Sequence, residues 1–114
     1  MKDRTMLDMI INELQERKTE DIVGYYVAPV SSVADYIVIG TATSEPHANA
    51  IADYLLENLK AKKITPFAVE GQGSSRWICV DFGEVMVHLM CRQERDYYNL
   101  GAIWGGCEKV TIAE

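Results

Sequence analysis

The chain has 114 residues, 48% of them hydrophobic and 25% charged, a balance that excludes a disordered or collagen-like polymer and suits one core rather than two. Seventeen Asp and Glu against eleven Lys and Arg give a net charge of −6, which repels a phosphate backbone and argues against direct, sequence-specific nucleic-acid binding. No apolar run reaches bilayer length, and no apolar signal core follows Met1-Lys2-Asp3-Arg4, so the chain reads as cytoplasmic with no membrane partner.

Leu7, Ile10, Ile11 and Leu14 recur at spacings of three and four, which predicts an amphipathic helix over residues 5–18. Residues 22–27 are aromatic and β-branched and are closed by Pro29 and Ser31-Ser32, the signature of a strand and its turn. The uninterrupted run Tyr36-Ile37-Val38-Ile39, bounded by Asp35 and Gly40, predicts a central strand buried on both faces. Ala48, Ile51, Ala52, Leu55 and Leu59 return to helical spacing. Thr43 or Ser44 caps that helix, Pro46 sits in its first turn, and it ends near residues 60–63. Residues 66–69 read as a third strand, followed by a loop, Gly71-Gln72-Gly73-Ser74-Ser75.

Residues 76–91 hold two β-rich runs around Asp81-Phe82-Gly83-Glu84, a hairpin whose glycine supplies the positive φ of a tight reversal. Counting outward from the turn places Val80 opposite Val85, Ile78 opposite Val87 and Trp77 opposite His88. One face is then wholly aliphatic, with Ile78, Val80, Val85, Val87 and Leu89, and turns toward a core. The other carries Trp77, Cys79, Asp81, Glu84, Met86, His88 and Met90, poor core material but suited to recognition. Residues 94–100 are helix-compatible, with Arg95 and Tyr98 on one side of a short turn. Trp104 and Gly105-Gly106 follow, and the tail from 105 to 114 carries too little pattern for its order to be assigned. With no repeat or linker, residues 1–114 read as a single domain.

Little in this pattern suggests catalysis. Cys79, Cys91 and Cys107 form no disulfide framework, and no CxxC or HxxxH spacing offers a metal site. Gly40-Thr41-Ala42-Thr43-Ser44 has the position of a phosphate loop but one glycine, and capping accounts for its hydroxyls. His47 is read as a solvent-facing side chain of the next turn. No DxD pair could hold magnesium, while Asp81 and Glu84 are placed to hydrogen-bond their own turn. No cofactor is expected. Trp77 and Trp104 are flanked by polar or glycine-rich sequence, and both an exposed anchor and a lid over the core remain open for them.

Taken in order, Asp35-Tyr36, Thr43-Ser44 with His47, Glu70-Gly71, Trp77, Asp81, Gly83, Val87-His88, Arg95, Tyr98, Leu100 and Trp104 resemble the ribosomal silencing factor family, RsfS or Iojap. The resemblance spans residues 5–104. It implies a small single-domain α/β fold, nucleotidyltransferase-like, with a mixed β-sheet and flanking helices, used as a binding module rather than an enzyme. Such proteins bind the fourteenth protein of the large ribosomal subunit, block joining of the small subunit, and repress translation when nutrients are scarce. The resemblance assigns Trp77, Asp81, His88, Arg95, Tyr98, Leu100 and Trp104 to the partner-binding surface or its support. One departure is Tyr98-Asn99-Leu100-Gly101, which lacks two carboxylates that the family usually carries there. A homodimer is left open, and the alternative from another class is a nucleotide-binding or nucleotidyltransferase enzyme.

Overall fold

Ser44 stops the backbone in an extended conformation, and its hydroxyl accepts the His47 N–H at 3.1 Å, so a helix starts where the sequence places its cap. The computed structural model containing this helix describes residues 4–73 and 76–112. Met1, Lys2, Asp3, Ser74, Ser75, Ala113 and Glu114, with the readings that fall on them, lie outside the described residues.

The elements run α1 (Thr5–Glu16), β1 (Glu20–Tyr26), β2 (Tyr36–Ala42), α2 (Glu45–Ala61), β3 (Ala68–Glu70), β4 (Trp77–Asp81), β5 (Val85–Cys91), α3 (Arg92–Tyr98), the single turn α4 (Leu100–Ile103) and β6 (Glu108–Lys109). The strands form one mixed sheet in the order β3-β4-β5-β2-β1-β6. β2 and β5 pair in parallel at its centre, and the other neighbours are antiparallel. Every residue of β2 is buried, as its continuous apolar run predicts.

α1 and α2 cover one face of this sheet. Leu7, Ile10, Leu14, Ile51, Leu55 and Leu59 meet Ile78, Val80, Val85, Val87 and Leu89 there, all at 0–1% exposure. A smaller cluster of Tyr25, Val27, Ile37, Ile39 and Met90 lies on the opposite face, with Leu100, Trp104 and Cys107 packed against it. Thus the expected division of the hairpin into two faces is observed, except that Met90 is fully buried.

The hairpin register differs from the count made on sequence. Val80 faces Val87, Ile78 faces Leu89 and Cys79 faces His88, because Gly83-Glu84 is a two-residue turn closed by a Phe82 N–H bond to the Val85 carbonyl at 2.9 Å. The displacement is two residues, an even number, so each side chain keeps its face. Gly83 has φ +86°, and a Cβ added there would stand 2.4 Å from Phe67 Cε2. Phe67 is 81% exposed and free to swing away, so strain in the left-handed backbone dominates. Gly83→Ala is therefore expected to cost about 1–2 kcal/mol in urea unfolding. No measurable loss would show that the turn adopts another conformation.

Two further readings need correction. His47 does not simply face solvent: its Nδ1 accepts the Thr43 N–H at 2.9 Å and its Nε2–H donates to the Arg17 carbonyl at 2.9 Å, tying the start of α2 to the end of α1. The expected helix over 94–100 is two helices, separated by Asn99 in the left-handed conformation (φ +45°, ψ +58°), which asparagine tolerates better than most residues. The tail has order at Glu108–Lys109, which pairs with Tyr25 and Tyr26 at the edge of the sheet.

Candidate functional site

The two strand periodicities place three cross-sheet rows on the face away from α1 and α2. Ala68, Asp81, Met86 and Ile37 form the first, Glu70, Cys79, His88 and Ile39 the second, and Trp77, Met90 and Thr41 the third. Directly paired residues share a face, which is why residues distant in sequence meet here. Toward β1 the face is covered by Leu100 and Trp104. Toward β3 it opens into a groove of about 600 Å³, lined by Ala68, Glu70, Gly71, Trp77, Cys79, Asp81, Met86 and His88.

Trp77 lies at one end of this groove and links it to α3. Its indole Nε1–H donates to His88 Nδ1 at 3.0 Å across the strand diagonal, and its ring lies 4.8 Å from that of Tyr98. Tyr98 in turn meets Tyr97 edge-on at 4.9 Å. Tyr97 and Tyr98 are 79% and 50% exposed, so an aromatic strip extends from the half-buried indole outward to solvent. Offset and edge-to-face contacts of this kind favour fixed ring positions. Trp77 is consequently neither a free anchor nor a closed lid. It is a positioned indole at the margin of an open groove.

The ionisable groups have distinct roles. Burial lowers the His88 imidazole below its ordinary pKa, and the bond from Trp77 requires Nδ1 to be unprotonated. Burial, followed by the charges of Glu70 and Asp81, pushes the Cys79 thiol up to about 11, so at neutral pH it is a protonated apolar group rather than a nucleophile. Asp81 Oδ1 accepts the Gly83 N–H at 2.7 Å and closes the turn, as expected. Because the folded state favours neutral His88, its contribution is complete above the unfolded pKa of about 6.5 and is lost as pH falls through the lower folded value. Urea unfolding between pH 5 and 8 should therefore show an acid-side loss of stability that is smaller in His88→Gln, whose amide oxygen can still accept from Trp77. Identical pH profiles for the two proteins would contradict this.

The groove brings together Trp77, Asp81 and His88, and Tyr98 joins it through Trp77. Leu100 and Trp104 lie behind, packed on the second cluster. Arg95 turns inward, its guanidinium bonded to the Asp21 carbonyl at 2.8 Å and to Thr41 Oγ1 at 2.7 Å. Glu70, Met86 and Tyr97 also belong to this surface. A three-residue strand gives too short an alternation to place Glu70, while the exposed, adjacent pair Tyr97-Tyr98 was itself a readable signal. Gly101, one of the two departures, has a local reason: a Cβ there would lie 3.1 Å from Tyr25 Oη.

The start of α2 makes a weaker case for chemistry. Arg76, beside it, is engaged by Glu94 at 2.9 Å and Glu45 at 3.6 Å. Among the described residues, no group of three or more His, Cys, Asp or Glu could hold a metal ion, and no described helix is long and apolar enough to cross a membrane.

The family model described as "Ribosomal silencing factor during starvation" matches residues 1–114. The chain belongs to the ribosomal silencing factor family. It is 31% identical to ribosomal silencing factor RsfS of Halalkalibacterium halodurans, covering 98% of this chain and 96% of that one. It is 32% identical to RsfS of Bacillus subtilis, covering 92% and 89%. A mouse relative named "Mitochondrial assembly of ribosomal large subunit protein 1" is 35% identical over 86% of this chain and 44% of its own length. The fold matches a crystal structure of a Chromobacterium violaceum protein with a TM-score of 0.87 at 30% identity, covering 100% of this chain and 94% of the other.

Proposed function

We propose that this protein binds the large ribosomal subunit through its fourteenth ribosomal protein, prevents the small subunit from joining, and so represses translation in the cytoplasm when nutrients are limiting. The observation that carries the reading is the open face of β3, β4 and β5, where positioned aromatic residues stand beside carboxylates in a member of the silencing factor family. Positioned aromatic side chains are the usual energetic anchors of protein interfaces. A net charge of −6 speeds encounter with a basic protein surface while opposing nonspecific capture by ribosomal RNA. Trp77, Asp81, His88 and Tyr98 are assigned to the contact. Leu100, Trp104 and Arg95 are assigned to holding the aromatic strip in place. Such a protein acts by occupying a surface, and no chemical step is required of it.

Sedimentation with purified ribosomal subunits tests this directly. The protein should travel with large subunits and lower the yield of joined ribosomes in a concentration-dependent way. Failure to co-sediment with large subunits, or unchanged joining when it does, would refute the reading.

A further inference from the structure

We infer that the groove beside Trp77 is a socket for one arginine side chain of the partner, held between Glu70 and Asp81. This inference rests on the proposed large-subunit binding and specifies what that partner inserts. Glu70 pairs with Cys79, and Asp81 lies two residues further along the same strand, so the two carboxylates occupy diagonal positions on one face. Diagonal positions stand about 7–8 Å apart, a gap that a planar guanidinium bridges with donors on both sides while an ammonium presents only a point charge. The surface around them is apolar, with Ala68 and Cys79 on the opposite diagonal, Met86 on the far side of Asp81, and the Trp77 indole at one end of the groove. It suits the aliphatic stem and the flat head of arginine.

The charge balance of the groove is unfilled from within. Among the described residues, no lysine or arginine forms an ion pair with Glu70 or Asp81. Asp81 uses Oδ1 for the Gly83 N–H, and its second oxygen remains for a ligand. The field of both carboxylates reaches the floor of the groove, where together with burial it suppresses ionisation of the Cys79 thiol. A field that opposes a thiolate favours a cation at the same place. His88, kept towards its neutral form by burial and accepting the Trp77 N–H at Nδ1, adds no competing positive charge.

The test compares three proteins for binding to purified large subunits at about 0.15 M salt, where distant exposed charges are largely screened. They are the parent, Glu70→Gln/Asp81→Asn, and a control, Glu16→Gln/Glu57→Gln, which removes the same charge from the exposed helix layer on the other face. Asn at 81 retains the oxygen that caps the turn. The socket variant should bind about tenfold more weakly, and the control within about twofold of the parent. Equal losses in both variants, or none in either, would overturn the socket. Failure of the parent to bind would instead remove the proposed function. A second measurement needs no ribosome: the Trp77 indole N–H resonance should shift saturably with N-acetyl-arginine amide, less with the lysine analogue, and not with citrulline. Equal responses to arginine and citrulline, or no response to arginine, would also overturn the proposal.

Discussion

Trp77→Ala is expected to weaken large-subunit binding by about 2 kcal/mol, a roughly thirtyfold rise in Kd, while lowering folding stability by about 1 kcal/mol. The difference follows from where the indole sits. It rests on the margin of the second cluster, half-buried, and is not among the fully buried side chains that support the helix layer. Its removal costs the fold some apolar contact and one hydrogen bond, but the groove is open, so water can replace the donor to His88 Nδ1. For a partner the loss is greater, because the indole is the rigid element that His88 and Tyr98 hold from two sides. Trp77→Phe should restore much of the folding stability and only part of the affinity, since it keeps an aromatic ring but no N–H. Titration by co-sedimentation alongside urea unfolding separates the two effects. A large stability loss with unchanged affinity would make Trp77 a lid.

The uneven legibility of this sequence has a physical pattern. Alternation within a strand depends only on backbone pleating, so the faces of Trp77 and His88 and of Ile78 and Val87 were readable without knowing the turn. Register depends on the number of turn residues, and one hydrogen bond between Phe82 and Val85 moved every pair by two. The cap at Ser44 was equally local and equally readable. His47 was not, because its second partner is the Arg17 carbonyl at the end of another helix. Glu70 escaped for a related reason: it gains significance only when β3 is laid beside β4 and its carboxylate is set diagonal to Asp81. The ordered resemblance pointed to a surface and its support without separating them. That separation requires contacts.

Arg95 shows the separation most clearly, and Arg95→Met is expected to lower folding stability by about 2 kcal/mol with a smaller direct effect on binding. Asp21 sits at the irregularity in β1 with φ +46°, and its carbonyl accepts from the Arg95 guanidinium. The second acceptor is Thr41 Oγ1, on a residue with no exposure in the central strand β2. Methionine keeps most of the apolar stem but leaves the Thr41 hydroxyl buried without that donor, and an unsatisfied buried polar group costs more than a hydrogen bond returns. Burial lowers the Arg95 pKa, yet the group stays charged at any physiological pH, so the effect should not vary between pH 6 and 8. Thr41→Val in the Arg95→Met background should recover part of the loss, because both partners are then apolar. With α3 less firmly anchored to β1 and β2, Tyr98 packs less well against Trp77, and affinity should fall by less than in Trp77→Ala. If Arg95→Met leaves unfolding unchanged and eliminates binding, the guanidinium contacts the ribosome itself, and the division between contact and support must be redrawn at this residue.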